Sequence, residues 1–326
     1  MAQDKFSDIQ IPQVDDRPVW DVIFAIYGYP ALLLAHRLRI FTTLAQKSCT
    51  VSEVCEALDL KPRPVEALLT TATSLGFLSL HEERYSLTPV TEVYLLESSP
   101  NYFGFFWDMM TNNHQVSSIA SLEQAILTDK PQVYGGNNLF KTHEEQIELL
   151  QRFTAGMHSI SITSALVWPT IMDFSRHRIM LDIGGGSGAH SIGAAIKLPN
   201  LELALTMDFP QVCEVAETYI TQYKMQDRVK THAANIWQDH WPAADLHFFS
   251  NMYHDWMPDK CHFLTVKSFN SLEPGGRIVV HEMLYNDDKT GTFAMAGFSM
   301  VMMGWTEGKM YSGRELTRML DEVGFE

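Results

Sequence analysis

From Arg178 to Leu284 the chain alternates short apolar runs with helical segments, and no other feature restricts its fold so tightly. The runs are "RIMLDIG", "LELALTMDF", "VKTHAAN", "DLHFFSNM" and "RIVVHEML", with helices expected from Ala189, Pro210 and Asp259. Near-continuous apolar strands are buried on both faces, and the helices between them carry the chain back to the same edge. The pattern predicts a parallel, doubly wound α/β sheet. In such sheets ligands bind beyond the carboxyl ends of the strands. That rule gathers Asp182–Gly188, Asp208, Asn235 and His254 on one rim.

The rim residues have a chemistry in common. "LDIGGGSGAH" holds Gly184, Gly186 and Gly188 behind a carboxylate, Asp182. Gly184-x-Gly186-x-x-Ala189 satisfies a dinucleotide fingerprint, in which backbone N–H groups at a helix start hold a pyrophosphate. A fixed carboxylate two residues before the first glycine would repel a pyrophosphate, however, and suits a ligand with an ammonium group. S-adenosylmethionine carries an ammonium and a sulfonium, and needs the glycines only for close backbone approach. Asp208 ends the next strand, where a carboxylate can accept both hydroxyls of a ribose or equally cap the helix after Pro210. Asn235 and Ile236 end the third, where an adenine edge and face would lie. The rim favours an adenosyl ligand, and Asp182 tilts it from NAD toward S-adenosylmethionine.

The fourth strand runs into "FFSNMYHDWMPDKC", which sets His254, Asp255 and Trp256 at the mouth of the core. A phenol of pKa about 10 is only about one part in a thousand ionised at pH 7, and making it a nucleophile costs about 4 kcal/mol. A positioned histidine is suited to lowering that cost. The plainer use of His254 is to cap the following helix. Upstream, "YFGFFWDMM" and "FTAGMHSISITSALVW" are rich in aromatic and Met side chains. Phe103, Phe105, Phe106, Trp107, Met157 and His158, with Phe298, Met302 and Trp305 later, are candidate walls for a flat apolar acceptor, though such stripes are also ordinary core.

The N-terminal third has another texture. "VWDVIFAIYGYPALLLAHRLRIFTTLAQ" is apolar nearly all round and predicts a helix pair buried on several sides. A short helix capped by Ser52, a second from Pro62 to Leu75 closed by Gly76, and two strands about the turn His81–Arg84 make a helix–turn–helix with a wing. That second helix has almost no cationic side chains, and the chain's formal charge is −15, so a nucleic-acid partner or an anionic membrane is disfavoured. A structural or dimerising use of the wing is expected instead, with a homodimer formed through the N-terminal helices. The four cysteines show no CxxC spacing, so no metal is expected. No signal core or uncharged run of membrane length is evident, and a soluble, cytoplasmic protein is expected.

The order of these parts, with "DIGGGSG", "MDFPQV", "HDW" and "LEPGGRIVVHEML", resembles the S-adenosylmethionine-dependent small-molecule O-methyltransferases. These are the plant caffeate and flavonoid type and their bacterial and hydroxyindole relatives. The resemblance covers nearly the whole chain. It implies a Rossmann-like class I methyltransferase domain at residues 176–326, a helical linker with pocket helices at 101–175, and a helical winged-helix dimerisation domain at 1–100. It implies His254 as general base and Glu282 as its orienting acid. Asp182, Gly184, Gly186, Gly188, Asp208, Asn235 and Ile236 would be cofactor contacts, and Phe106, Trp107, Met157, His158, Trp256, Phe298 and Met302 acceptor contacts. A small aromatic or polyketide-like hydroxyl compound would be the acceptor, with N- or C-methylation or a winged-helix regulator as alternatives. Three positions depart from the family. Asn235 stands in a motif that is often acidic, Ser250 where the plant enzymes have lysine, and Met310 where they have a second glutamate. His254 is thus expected to be held from one side. The resemblance also implies two further strands after "LDEVGFE".

Overall fold

The structure, a computed structural model, describes residues 12–326, and the chain divides into two compact units at residues 102 and 103.

In the first unit, α1 (Arg17–Arg37) is one long helix and α2 (Ile40–Leu44) a single short one, separated by Arg39 in the left-handed region. Only Leu32, Leu33 and Ala35 of α1 are buried. Val22, Ile26 and Tyr27 are 75%, 64% and 68% exposed, so the expected burial on several sides does not occur within one chain. The reason is geometric: α1 lies against α2 and α4 along one side, and its remaining apolar faces have no element of their own unit to cover them. By length and composition alone α1 could also cross a bilayer. The winged helix is as expected: α3 (Val51–Leu58), α4 (Pro62–Ser74), β1 (Leu78–His81), β2 (Arg84–Leu87) and then α5 (Pro89–Tyr94). The cap of α3 is Thr50 and not Ser52. Thr50 Oγ1 accepts from Glu53 N–H while Glu53 Oε2 accepts from Thr50 N–H, a reciprocal pair worth about 1 kcal/mol. Glu82 and Glu83 both take positive φ, as a two-residue hairpin turn demands.

The second unit opens with α6 (Gly104–Asn112), α7 (Ile119–Thr128), α8 (Leu139–Glu145) and α9 (Ile147–Ala165). The sheet follows: β3 (Ile179–Ile183), α10 (Ala189–Lys197), β4 (Leu203–Asp208), α11 (Pro210–Gln222), β5 (Val229–Ala233), β6 (Leu246–Ser250), α12 (Pro258–Ser271) and β7 (Arg277–His281). α13 (Phe293–Trp305) and α14 (Gly313–Val323) complete the described elements. α12 starts one residue before Asp259, because Pro258 fits the first helical position.

Among the described residues the sheet order is β5-β4-β3-β6-β7, every pair parallel. Its two faces follow the alternation along each strand. Met180 and Phe248 pack with Ile192 of α10, Ala216 and Ile220 of α11 and Trp168. Leu181, Ile183 and Phe249 pack with Leu264 of α12 and Leu316 of α14. Truncating one of the larger of these core side chains, such as Leu181, Ile192 or Phe248, to alanine costs about 2–5 kcal/mol. The chain leaves β3 in one direction toward β4 and β5 and returns on the other side as β6 and β7. The crevice therefore opens where β3 meets β6, and that is where the site lies.

Candidate active site

One cavity of the second unit collects the carboxyl ends of β3, β4, β5 and β6 with the inner faces of α6, α8, α9 and α13. Its floor is the turn after β3. Gly184 and Gly186 take φ of +67° and +56°, open to glycine at little cost. A Cβ on Gly184 would lie 2.4 Å from Met252 Sδ, whereas one on Gly186 would meet nothing within 4 Å. The loop thus packs closely beneath and leaves open space above. Gly188 caps α10 behind the loop and does not line the cavity.

Two carboxylates stand on this floor. Asp182 Oδ2 accepts from Ser191 N–H (3.2 Å) and Ser191 Oγ (2.9 Å), and Thr206 Oγ1 donates to that same Oγ (2.8 Å). Asp208 accepts from Gly186 N–H at 3.0 Å and Phe209 N–H at 2.8 Å. Burial raises Asp182 to about 7 and Asp208 to about 6, and the hydrogen bonds only partly offset it. Asp182 is buried and Asp208 half-buried, with no Lys or Arg among the described lining residues to match them.

The loop after β6 holds His254. Tyr253–Asp255 form one tight helical turn, which places His254 in the cavity wall, 4% exposed. Glu282, just after β7, is fixed by its Oε1, which accepts from Met252 N–H and Tyr253 N–H at 2.8 Å each. Its Oε2 lies 2.6 Å from His254 Nδ1. Burial alone would lower the imidazole pKa. The Glu282 charge and contact, with Asp255 adding, reverse this and leave it above 6.5. Asp255 Oδ1 lies 3.7 Å from His254 Nε2, too far for a hydrogen bond but close enough for its charge to act. His254 thus has Glu282 within bonding distance on one side only, and on the other the motif's own aspartate acts through its charge alone. Burial raises Asp255 to about 7. Ring contact with Phe298 at 5.4 Å closes the wall beside the imidazole.

Above the floor the lining is apolar. Leu150, Phe153, Thr154, Met157, Ile160 and Ser161 of α9 recur at helical spacing on one inner face. Phe106 on α6, Phe298, Met302 and Trp305 on α13, and Trp256 also line it, as expected. Other expected contacts lie elsewhere. Trp107 and His158 each follow a cavity-lining residue by one helical step, which turns them about 100° away. His158 is buried behind the glycine loop, with Nδ1 2.8 Å from Ser187 Oγ and its ring stacked on Tyr219 at 3.8 Å. Phe103 and Phe105 do not line the cavity either. Ile236 does, but Asn235 spends its Oδ1 on Trp237 N–H (2.9 Å), and Ala234 and Trp237 take its place in the lining. Phe153, Ser161 and Trp237 were not singled out from sequence, and Asp255 was noted beside His254 without a role of its own. For α9 the signal was present in the spacing of its apolar residues; for Trp237 no local signal existed.

The family model of the O-methyltransferase domain matches residues 119–326, and that of the O-methyltransferase dimerisation domain matches residues 20–97. A 3-hydroxy-5-methyl-1-naphthoate 3-O-methyltransferase of Streptomyces sahachiroi is 30% identical over 308 residues, 93% of this chain and 88% of the relative. An acetylserotonin O-methyltransferase of Gallus gallus is 24% identical over 339 residues, 99% of this chain and 94% of the relative. The crystal structure of human N-acetylserotonin methyltransferase in complex with SAM superimposes with a TM-score of 0.83 at 22% identity, covering 97% of this chain and 94% of that one.

Proposed function

Because the chain belongs to the O-methyltransferase family, we propose that it transfers a methyl group from S-adenosylmethionine to a hydroxyl of a small aromatic or polyketide-like acceptor, with His254 as general base. The observation that carries this reading is the Glu282–His254 contact of 2.6 Å in the wall of the cavity that also holds Asp182, Asp208 and the glycine loop.

The residues fit the methyl donor. A buried and a half-buried carboxylate with no Lys or Arg among the described lining residues suit an ammonium and a ribose diol, and the space above Gly186 admits a close approach. Asp182 would hold the ammonium and Asp208 the ribose, with Ala234, Ile236 and Trp237 against the base. When bound, S-adenosylmethionine supplies an activated methyl on a good leaving group. The remaining task falls to the chain: placing the acceptor oxygen in line and removing its proton. His254 Nε2 takes that proton. Glu282 Oε2, 2.6 Å from Nδ1, stabilises the imidazolium that forms. The apolar faces of α9 and α13 seat a flat ring and exclude water.

Incubation with donor labelled in the methyl group and a panel of phenols, naphthols and hydroxylated polyketides tests the reading. Labelled methyl ether in at least one product is expected, and none with any hydroxyl acceptor counts against it. The chain also carries a dimerisation domain, and the exposed Val22, Ile26 and Tyr27 support a homodimer formed through α1. Light scattering should give twice the 37.0 kDa of one chain, and Ile26→Glu should reduce it to one.

A further inference from the structure

His143 puts a polar ring into the apolar part of the cavity. It lies on α8, is 5% exposed, and lines the cavity together with Phe140, one turn earlier on the same helix face. Its ring centre lies 4.7 Å from that of Phe153 and 5.6 Å from that of Tyr134, the latter edge to face. Tyr134 Oη is 3.0 Å from His143 Nε2. Nδ1 bonds nothing among the described residues, yet unlike the ring nitrogens of His190 it is not sealed from solvent. A half-paired imidazole among such neighbours is unfavourable unless a ligand supplies the second bond.

The bond to Tyr134 fixes what Nδ1 offers. A neutral imidazole has one donor nitrogen and one acceptor, so the contact at Nε2 decides the state of Nδ1. Burial holds His143 down at about 4, so the ring is neutral, and burial also raises the Tyr134 phenol, which keeps its proton. A phenol is the better donor and an imidazole nitrogen the better acceptor. Tyr134 O–H therefore donates to Nε2, and Nδ1 carries the hydrogen. Tyr134 reaches this position with φ of +50°, uncommon for an aromatic residue and a strain of the kind that gathers at ligand sites. Thr154, Ser161 and Asn251 also line the cavity, but a hydroxyl turns and an amide offers both roles. His143 has its polarity set by a partner outside the lining.

We propose that His143 is a specificity-determining residue, whose Nδ1–H binds a carbonyl oxygen of the acceptor away from its reacting hydroxyl. This role rests on the proposed function above, in which the apolar walls seat the acceptor's ring. It narrows the acceptor to a phenolic ring that also carries a neutral carbonyl. A carboxylate is a poor occupant, because no Lys or Arg among the described lining residues would match its buried charge. An acceptor with only C–H beside Nδ1 leaves that N–H without a partner, which costs about tenfold in affinity.

Calorimetry on the full chain, saturated with S-adenosylhomocysteine, separates this role from packing. The probes are 2-naphthol and a set of 2-naphthols acetylated on the second ring. The wild type should bind at least one ketone more tightly than the parent naphthol. His143→Leu should weaken that ketone by roughly tenfold while leaving 2-naphthol unchanged. His143→Gln, which keeps an N–H, should recover most of the loss. Tyr134→Phe, which frees the tautomer, should cause a smaller loss than the leucine variant. His143→Phe serves in place of the leucine variant should that one not fold. Equal weakening of both probes, or of neither, overturns the inference and leaves His143 a packing residue. A wild type that binds no ketone more tightly than 2-naphthol overturns it too, while methyl transfer to other hydroxyl compounds would leave the proposed function standing. Conversely, a ketone bound through His143 with no methyl transferred to any hydroxyl overturns the proposed function and leaves a carbonyl-binding site.

Discussion

Two carboxylate pairs share one cavity and are treated in opposite ways. Asp182 and Asp208 accept hydrogen bonds only from neutral donors, and desolvation drives both upward, to about 7 and about 6. Glu282 and Asp255 flank an imidazole, and together they hold His254 above its usual 6.5 despite burial. The first pair accepts hydrogen bonds from the protein but has no positive partner among the described lining residues. The second pair is internally matched and turns a histidine into a stronger base. Residue type alone would not separate them; the difference lies in whether the protein supplies the positive partner.

The comparison predicts that damage to the two pairs separates into chemistry and binding. The largest effect is expected at His254. His254→Ala should lower kcat by roughly 10²–10⁴-fold, about 3–5 kcal/mol, with S-adenosylhomocysteine affinity nearly unchanged. Wild-type turnover in this variant would reduce His254 to a helix cap and pocket wall.

Next comes Asp182. Asp182→Asn should weaken S-adenosylhomocysteine by about 3 kcal/mol, roughly a hundredfold, since a buried charge loses its partner. The affinity of the wild type should also depend on pH. The bound ammonium requires ionised Asp182, yet in the free cavity this group titrates at about 7. Below that pH a proton must be released for each ligand bound, so affinity should fall as pH falls, by about tenfold per unit at most. Titration at pH 6 and pH 8 measures it. The Asn variant should lose most of this dependence, and an unchanged slope would remove Asp182 from the ammonium site.

The smallest effect is expected at Glu282. Glu282→Gln keeps the shape but removes the charge that raises His254, so burial then dominates and the imidazole pKa falls. If His254 is the base, turnover needs it unprotonated. The acid limb of the rate profile should therefore move to lower pH, while the plateau drops by roughly tenfold as the base weakens. Asp255, 3.7 Å from Nε2, should retain part of the support. A pH profile that does not move would mean that Glu282 only braces the loop through Met252 and Tyr253.

Much of this was legible in the chain. Strand periodicity is local, so the alternation after Arg178 was enough to place Asp182, Asp208 and His254 on one rim, and the parallel sheet followed. The spacing of Leu150, Phe153, Thr154 and Met157 was equally local and marks the cavity face of α9. What a helix face meets is a different matter. Met157 and His158 are neighbours of similar promise in sequence, and one helical step sends the first to the cavity and the second behind the glycine loop. Asn235 reads as a ligand contact and is used by its own turn, because a short amide bonds the nearest free N–H.

Sequence by itself determined the element order, the glycine turn, and the carboxylates and histidine at the strand ends, since each depends on residues within a few positions. Tertiary structure alone decided which carboxylates have partners. Glu282 reaches His254 because β7 lies beside β6 in a register that pairs Ser250 with His281. His190 is left without a partner because Phe248 and an occupied His281 are what the fold brings against it. α1 is apolar on more sides than its own unit can cover. Electrostatic satisfaction and burial are set by neighbours distant in the chain, and those are fixed only when the sheet has formed.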